Sequence, residues 1–462
     1  MEDFKIAVEQ LDMLLKDKKY YEIKELLKDI EPADLSLILQ EFPQKIATLF
    51  RLLPKDLAAE CFVEMDSDYQ EKLLSLFTDN EMKEVMQELY IDDTVDIIEE
   101  MPANVVKRIL KNSDAETRKT INEILKYPDD SAGSIMTTEY VRLDEDITVE
   151  DALKRIRRTG IDKETIYTCY ITKPDRTLLG YVSAKKLLLS DEDILISDIM
   201  DTSVIFAHTD DDKEAAAKEM SKYDLLALPV VDRENRLVGI ITVDDAIDVI
   251  EEEATEDIEK MAAMLPSDKP YLATNPFEIW RKRIPWLILL MLSATFTSLV
   301  ITSFEDKLVS TAFGTVLIAF IPMIMGSGGN AGGQTSVTII RGLALEEIRL
   351  GDIFRVLFKE LRVSLLCGVT LALATFAKML LIDWLLLRNI TGDFPHAAMI
   401  CFVVSLTLLV TIIVSKLVGC ILPILAKRVG FDPAVMASPF ITTIVDVLSL
   451  LIYFGIAFAI LS

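Results

Sequence analysis

Histidine is nearly absent from this chain and cysteine is sparse. Only His208 and His396 occur in 462 residues, so an HExxH zinc helix cannot be built. The five cysteines, Cys61, Cys169, Cys367, Cys401 and Cys420, show no CxxC spacing. They read as small buried hydrophobes in a reducing compartment, not as a disulfide framework or a thiolate metal site. With no His or Cys set beside a nucleophile, a membrane enzyme such as an intramembrane protease is disfavoured, and the chain reads as a non-enzyme. Basic charge is also short: 48 Lys+Arg stand against 74 Asp+Glu, a net charge of −26. Nucleic acid is therefore excluded as a partner, because its phosphates need Lys and Arg; cations are the natural ligands. The opening MEDFKIAVEQ is acidic and amphipathic, so no signal peptide is expected.

What is present divides in two. Half of the chain is hydrophobic (51%) and the mean hydropathy is +0.32, which conflicts with so large a charge in a uniform soluble protein. From Pro276 onward there are 14 Lys+Arg and 11 Asp+Glu, net +3, whereas residues 1–275 hold 34 and 63, net −29. An acidic soluble module thus precedes a membrane domain. Five apolar stretches, near 284–303, 311–340, 361–387, 397–422 and 434–461, are long enough to span a bilayer. Arg281, Lys282, Arg283, Arg341, Arg349, Arg355, Lys359, Arg362, Lys427 and Arg428 fall on one side, and only Lys307 and Arg388 on the other. The positive-inside rule then places the N-terminus in the cytoplasm and the C-terminus outside the cell membrane. Residues 341–362 are amphipathic and basic, and read as a helix lying on the inner interface.

Two features inside the spans call for explanation. The run from Pro322 through Gly326, Gly328, Gly329, Asn330, Gly332 and Gly333 is poor helix former at membrane depth. With Asn330, Gln334 and Thr335 in the same stretch, it reads as irregular backbone lining a water-filled cavity; close helix packing through small residues is the alternative. The second feature is Asp446, about 12 residues into the last span, where a bare carboxylate costs several kcal/mol. Ser438, Thr442, Asp446 and Ser449 share one helical face, a stripe suited to a hard, oxygen-seeking cation. An ion pair of Asp446 with Lys378 or Lys416 is the competing explanation.

The soluble part contains a repeat. IMTTEYVRLDEDITVEDALKRI recurs as IMDTSVIFAHTDDDKEAAAKEM, aligning Glu150 with Glu214; YITKPDRTLLGYVSAKKLL recurs as LPVVDRENRLVGIITVDDAI, aligning Gly180 with Gly239. Each unit reads helix, strand, turn, strand, helix, and the pair resembles tandem CBS domains. That resemblance implies a sensor that can hold an adenine nucleotide such as ATP, with Thr242 and Asp245 as hydroxyl and carboxylate for a ribose; the first copy has Ser183 and Lys186 instead. Before it, residues 1–130 are helical, punctuated by Pro32, Pro43, Pro54 and Pro102, and suggest a superhelix of stacked helices. After it, DDAIDVIEEEATEDIEK (244–260) places Asp245, Asp248, Glu252, Glu256 and Glu259 within an arc of roughly 80°. Carboxylates ~4 Å apart repel by about 4 kcal/mol at an effective dielectric near 20. Divalent ions bound to scattered carboxylates, with waters retained, would relieve that, as suits Mg²⁺.

The order of parts, together with SAGSIMTTEYV, KYDLLALPVVD…RLVGIITVDDAIDVIEEEATEDI, PMIMGSGGNAGGQT…RGLA and FDPAVMASPFITTIVDVLSLLIYF, resembles the MgtE family of magnesium channels and transporters along almost the whole chain. The resemblance implies a multidomain α and α/β architecture: an acidic helical superhelix (1–130), CBS unit 1 (131–198), CBS unit 2 (199–245), an acidic connecting or plug helix (246–275) and a five-helix transmembrane domain (276–462). It implies a homodimer importing Mg²⁺ across the cell membrane, with Mn²⁺, Co²⁺ and Ni²⁺ as further candidate ions, closed by cytosolic Mg²⁺ on the acidic domains. A Na⁺- or H⁺-coupled divalent cation carrier is the alternative. By matching phrase, Asp446 is the pore carboxylate with Asn330 and Thr442 beside it, and Asp432 is an acid at the cytoplasmic mouth. Regulatory Mg²⁺ would use Asp245, Asp248, Glu253, Glu256 and Asp257 on the connecting helix, Asp212, Glu214 and Asp224 in CBS unit 2, and Glu60, Asp92 and Asp96 in the helical domain.

Overall fold

The computed structural model describes residues 2–267, 271, 274–309, 314–345, 347–388, 390, 393–436 and 438–461. Residues 311–313 of the expected second span, residue 346 of the expected interfacial helix, residues 268–270, 272 and 273 of the connecting segment and the side chain of Ser438 lie outside what is described. The chain separates into two compact units, Met1–Glu251 and Glu252–Ser462.

The first unit opens with ten short helices, from α1 (Glu2–Lys16) to α10 (Ala115–Ile124). Their boundaries follow from the sequence. Pro32 begins α3 (Pro32–Gln40), while Pro54 and Pro102 cap α5 (Lys55–Val63) and α9 (Ala103–Asn112); proline's fixed φ suits a first turn and its missing N–H is not needed there. Thr78 and Glu81 form a reciprocal capping box at the start of α7 (Asp79–Glu88). The odd-numbered helices α1, α3, α5, α7 and α9 pack successively on one another, the expected superhelix, around Leu35, Leu49, Phe62, Leu73 and Met82.

Two three-stranded sheets follow. Strand β1 (Val141–Leu143) lies parallel to β2 (Thr168–Thr172), which is antiparallel to β3 (Leu178–Ser183); β4 (Ala207–His208), β5 (Ala227–Val231) and β6 (Leu237–Thr242) repeat the pattern. Helix α11 (Val149–Thr159) stands between β1 and β2, and α14 (Lys213–Tyr223) between β4 and β5; the short α12 (Ala184–Leu189) and α13 (Ile196–Ile199) come between β3 and β4. The repeat holds in register: Gly180 faces Ile171 and Gly239 faces Val230, each beside a bulge at the next residue. The very short first strands β1 and β4 are the addition to the pattern read from sequence. The lead segments cross over. Thr137 exchanges both backbone hydrogen bonds with Ile240 of β6, and Asp201 both with Tyr181 of β3. A Cβ on Gly239 would come within 2.7 Å of the Thr137 carbonyl, and one on Gly180 within 2.6 Å of the Asp201 carbonyl, so both positions require glycine. The apolar core of the helical domain continues without a break into CBS unit 2 through Ala217, Leu228, Val230 and Ile241, while CBS unit 1 has its own core.

Among the described residues of the second unit, five helices are long and apolar enough to cross a membrane, within Pro276–Phe304, Val316–Ala344, Leu350–Leu386, Phe394–Val429 and Pro433–Ile460. The first span lies in α16 (Pro276–Val309), and α17 (Gly314–Ala319) leads into the second. The Gly-rich run does not break: α18 (Ile321–Ala344) is a continuous helix, against the expectation of irregular backbone. Glycine's helix cost is offset because α18 lies closely on α20 (Phe394–Val429) and α21 (Ser438–Leu461). A Cβ on Gly329 would sit 2.9 Å from the Thr442 methyl, and one on Gly419 would collide with the backbone of Gly332. The small residues form the packing seam. The expected interfacial helix over 341–362 is likewise not a separate element. Residues 341–344 end α18, a short 3₁₀ turn covers Leu350–Asp352, and the rest begins α19 (Ile353–Lys378), which runs on into the third span.

Candidate metal centre and ion path

Among the described residues, one group of three carboxylates converges closely enough to share an ion. Ligand oxygens of Asp92, Glu164 and Asp245 lie within 4.8 Å of one another. Asp92 and Asp93 occupy the first turn of α8 (Ile91–Glu100), and Asp244 and Asp245 that of α15 (Val243–Met261). Both pairs therefore sit at helix N-termini, where the dipole favours negative charge. Glu164 comes from the loop after α11, its backbone N–H donating to the Glu139 carbonyl at 3.0 Å.

The electrostatics are unfavourable without a counter-charge. Burial, together with the Glu164 and Asp245 carboxylates, holds Asp92 well above the usual carboxylate range. Burial, then Asp245 and Asp244, push Asp93 up to about 7. Glu164 is pushed up to about 7, chiefly by burial, with Asp245 and Asp244 adding to it. Asp245 reaches about 6 through burial, although hydrogen bonds from Thr242 oppose the rise. Glu164 Oε2 is buried with no hydrogen-bond partner among the described residues. An orphaned anionic oxygen facing two further acids fits a hard cation. Oxygens within 4.8 Å of one another are close enough for a hard cation to bridge them, directly or through the waters Mg²⁺ retains.

The other expected sensor residues are placed differently. Glu60 and Asp96 are exposed and outside the cluster. Asp212 caps α14, accepting from the Ala215 N–H at 3.0 Å, and Glu214 pairs with Lys218. Asp224 ends α14 in the left-handed region with φ +52°. On the connecting helix, Asp248 is exposed while Glu253 and Asp257 are half-buried. Glu256 and Asp432 both bind the Lys260 ammonium, at 2.8 Å each. Burial alone would lower that ammonium, but the two carboxylates hold it above its ordinary value. Glu164 itself was not evident in the sequence: no spacing links it to Asp92 and Asp245, and only packing of the helical domain on the CBS pair joins them.

A cavity of about 300 Å³ opens between the two CBS units, lined by Tyr170, Tyr181, Ser203, Asp224, Leu225 and Pro229 among others. Thr242 is not among its lining residues; its hydroxyl donates to Asp245 at 2.5 Å. The equivalent Ser183 likewise serves as a helix cap, accepting from the Lys186 N–H at 3.2 Å.

In the membrane unit, Asp446 is half-buried on α21 and has no hydrogen bond or ion pair among the described residues. Neither span lysine neutralises it. Lys416 is buried and donates to Thr335 Oγ1 at 3.2 Å, and Lys378 pairs with Asp383 at 2.7 Å. Thr442, one turn before Asp446, packs on Gly329, and Asn330 is exposed on α18. The side chains of Thr411 and Ser449 both reach Gly328, Thr411 with its methyl, and their hydroxyls are buried without partners among the described residues.

A polytopic helical domain with an unneutralised carboxylate in a span, joined to an acidic module with a CBS pair, defines the class of a membrane cation transporter with an acidic soluble domain. The comparisons agree and are narrower. The profile for the divalent cation transporter family MgtE matches residues 321–456, the MgtE intracellular N domain matches 30–130, and CBS domains match 132–192 and 196–252. The magnesium transporter MgtE of Thermus thermophilus is 36% identical over 458 residues, covering 98% of each chain. That of Bacillus subtilis is 33% identical over 452 residues, 97% of this chain and 96% of the relative. Two crystal structures resemble the soluble part. The cytosolic domain of the Mg²⁺ channel MgtE in complex with ATP has a TM-score of 0.50 at 34% identity, covering 52% of this chain and 99% of that one. The soluble part of a magnesium transporter scores 0.51 at 31% identity, covering 54% and 99%. The chain belongs to the MgtE family of magnesium transporters.

Proposed function

We propose that this chain is a Mg²⁺-selective channel that imports Mg²⁺ across the cell membrane as a homodimer and closes when cytosolic Mg²⁺ fills its acidic sensor. The observation that carries the ion path is Asp446: a half-buried span carboxylate without a partner among the described residues, while both lysines able to neutralise it are engaged elsewhere. Two copies across a dimer axis, with Thr442 and Asn330 nearby, would hold Mg²⁺ through its tightly kept water shell. Mn²⁺, Co²⁺ and Ni²⁺ are secondary candidates for the same path.

The sensor reading rests on the Asp92–Glu164–Asp245 group, with Asp248, Glu253, Glu256, Asp257 and Asp432 along the connecting helix and mouth, and Asp212, Glu214, Asp224, Glu60 and Asp96 as outlying sites. Mg²⁺ neutralises their mutual repulsion and favours the compact, closed arrangement; when it leaves, repulsion opens the mouth. The equilibrium moves only as far as the ion's preference for one state over the other, so several weak sites together make the response steep. The N-terminus is cytoplasmic and the C-terminus outside on the basic-loop asymmetry. ATP is assigned to the cavity at Tyr170 and Tyr181, supported by the ATP complex of the related cytosolic domain.

The test is Mg²⁺ uptake into liposomes with and without Mg²⁺ on the cytoplasmic side. Asp446→Ala should abolish uptake while the dimer stays intact by light scattering; normal uptake rejects the ion path. Uptake that follows a Na⁺ or H⁺ gradient instead of the Mg²⁺ gradient would turn the reading to the coupled carrier.

A further inference from the structure

The connecting helix α15 carries nine acidic residues and one basic residue, Lys260, which is also the sole Lys or Arg between Arg236 and Lys269. That one cation is not spread into solvent. Its ammonium lies 2.8 Å from Glu256 Oε1, one turn back on the same helix, and 2.8 Å from Asp432 Oδ2, ahead of the last span. Both carboxylates and the ammonium are half-buried, better shielded than an open surface pair. The contact is reinforced on either side. Met261 packs on Ile340 of α18 and on Ala434, and Asp432 is itself fixed by accepting from the Ala434 N–H at 2.8 Å.

We propose that Lys260 is a tethered cation that occupies the Glu256–Asp432 site and latches the end of α15 to the segment before the last span without metal. This deepens the Mg²⁺-gating reading and rests on it only for its consequence. Where that reading has a divalent ion drawing acids together, the chain supplies its own ammonium between two of them. Part of closure is then independent of Mg²⁺, and Mg²⁺ reaching this site must displace an intramolecular competitor. Lys260 thereby sets how sensitive the mouth is to the ion.

Two explanations are separable, because Lys260–Glu256 alone is an ordinary i, i+4 helix pair, whereas Lys260–Asp432 ties two elements. Hydrogen exchange of residues 252–262 is measured by mass spectrometry on the full chain in lipid nanodiscs, first in EDTA. A charge-assisted hydrogen bond of this kind is worth on the order of tenfold in an opening equilibrium. K260Q and D432N should each speed exchange by about that factor in EDTA, K260R should keep protection, and K260E combined with D432K should regain it. Wild-type exchange in D432N overturns the latch, since the lysine then only supports its own helix. In a second arm Mg²⁺ is added. It should restore protection in K260Q, and Mg²⁺ uptake into liposomes lacking internal Mg²⁺ should be severalfold faster for K260Q than for wild type. Unchanged uptake overturns the gating role of the latch. If Mg²⁺ shifts neither exchange nor uptake in wild type while the EDTA arm behaves as stated, the Mg²⁺ gate has failed and the latch stands.

Discussion

Replacing Asp245 by asparagine should stabilise the metal-free soluble unit at neutral to alkaline pH, the opposite of what most substitutions at a half-buried charged residue do. The magnitude follows from the cluster. Charges no more than 4.8 Å apart repel by at least about 3.5 kcal/mol at an effective dielectric near 20. Independently, carrying Asp245 from its ordinary 3.8 up to about 6 corresponds to about 3 kcal/mol of penalty once it is ionised. A carboxylate whose folded value lies above its unfolded one favours folding when protonated, and that contribution disappears as pH rises through the folded value. For Asp245 the loss falls between about pH 4 and about 6, and Glu164 and Asp93 extend it toward about 7. The amide oxygen that D245N introduces can still accept from Thr242, so the start of α15 stays capped. Urea unfolding of residues 1–251 in EDTA should show D245N gaining about 2–3 kcal/mol over wild type near pH 8 and little near pH 4. Millimolar Mg²⁺ should raise wild type strongly and D245N far less. If D245N loses stability at pH 8 in EDTA, or gains as much from Mg²⁺ as wild type does, the cluster is not a repulsive cation site.

Three further outcomes are expected. Gly419→Ala puts a methyl into the backbone of Gly332, so it should lower the melting temperature of the purified membrane protein, by roughly 2 kcal/mol or more of stability, while Ala at Gly455, where nothing lies within 4 Å, should leave it unchanged. Arg108→Ala removes hydrogen bonds to the carbonyls of Leu74 and Phe77 and an ion pair with Asp79; unfolding of residues 1–251 should show a loss of about 1–3 kcal/mol. Titration of ATP by calorimetry should weaken at least tenfold in Tyr170→Ala, whose ring borders the CBS cavity, and stay near wild type in Thr242→Val.

The large divisions were legible because they rest on one-dimensional signals. Charge asymmetry separated Pro276 onward from the acidic part, hydropathy marked the five spans, and the aligned Gly180 and Gly239 marked a repeat whose register the two sheets share. What could not be read depends on residues distant in the chain. Glu164 joins Asp92 and Asp245 only through packing of the helical domain on the CBS pair, and no periodicity encodes that. Glu60 and Asp96 carry the same charge as Asp92 but face solvent, a distinction set by which side of each helix is buried. The Gly-rich stretch misled because local propensity argues against helix at Gly328, Gly329, Gly332 and Gly333; the close approach of α20 and α21 overrides it. Lys260 is the lone base on an acidic helix, but nothing local points to its partner Asp432, 172 positions away.

The exchanged lead segments carry a consequence for folding. Thr137 is stitched to Ile240 and Asp201 to Tyr181, so the outer strand of each half of the CBS pair is bridged by a segment lent by its twin. Neither half has a finished border when made alone, and synthesis of the first must wait for the second before its hem is sewn. Cutting the chain between them should therefore unravel both margins together, and strain entering one half is handed to the other through these lent segments.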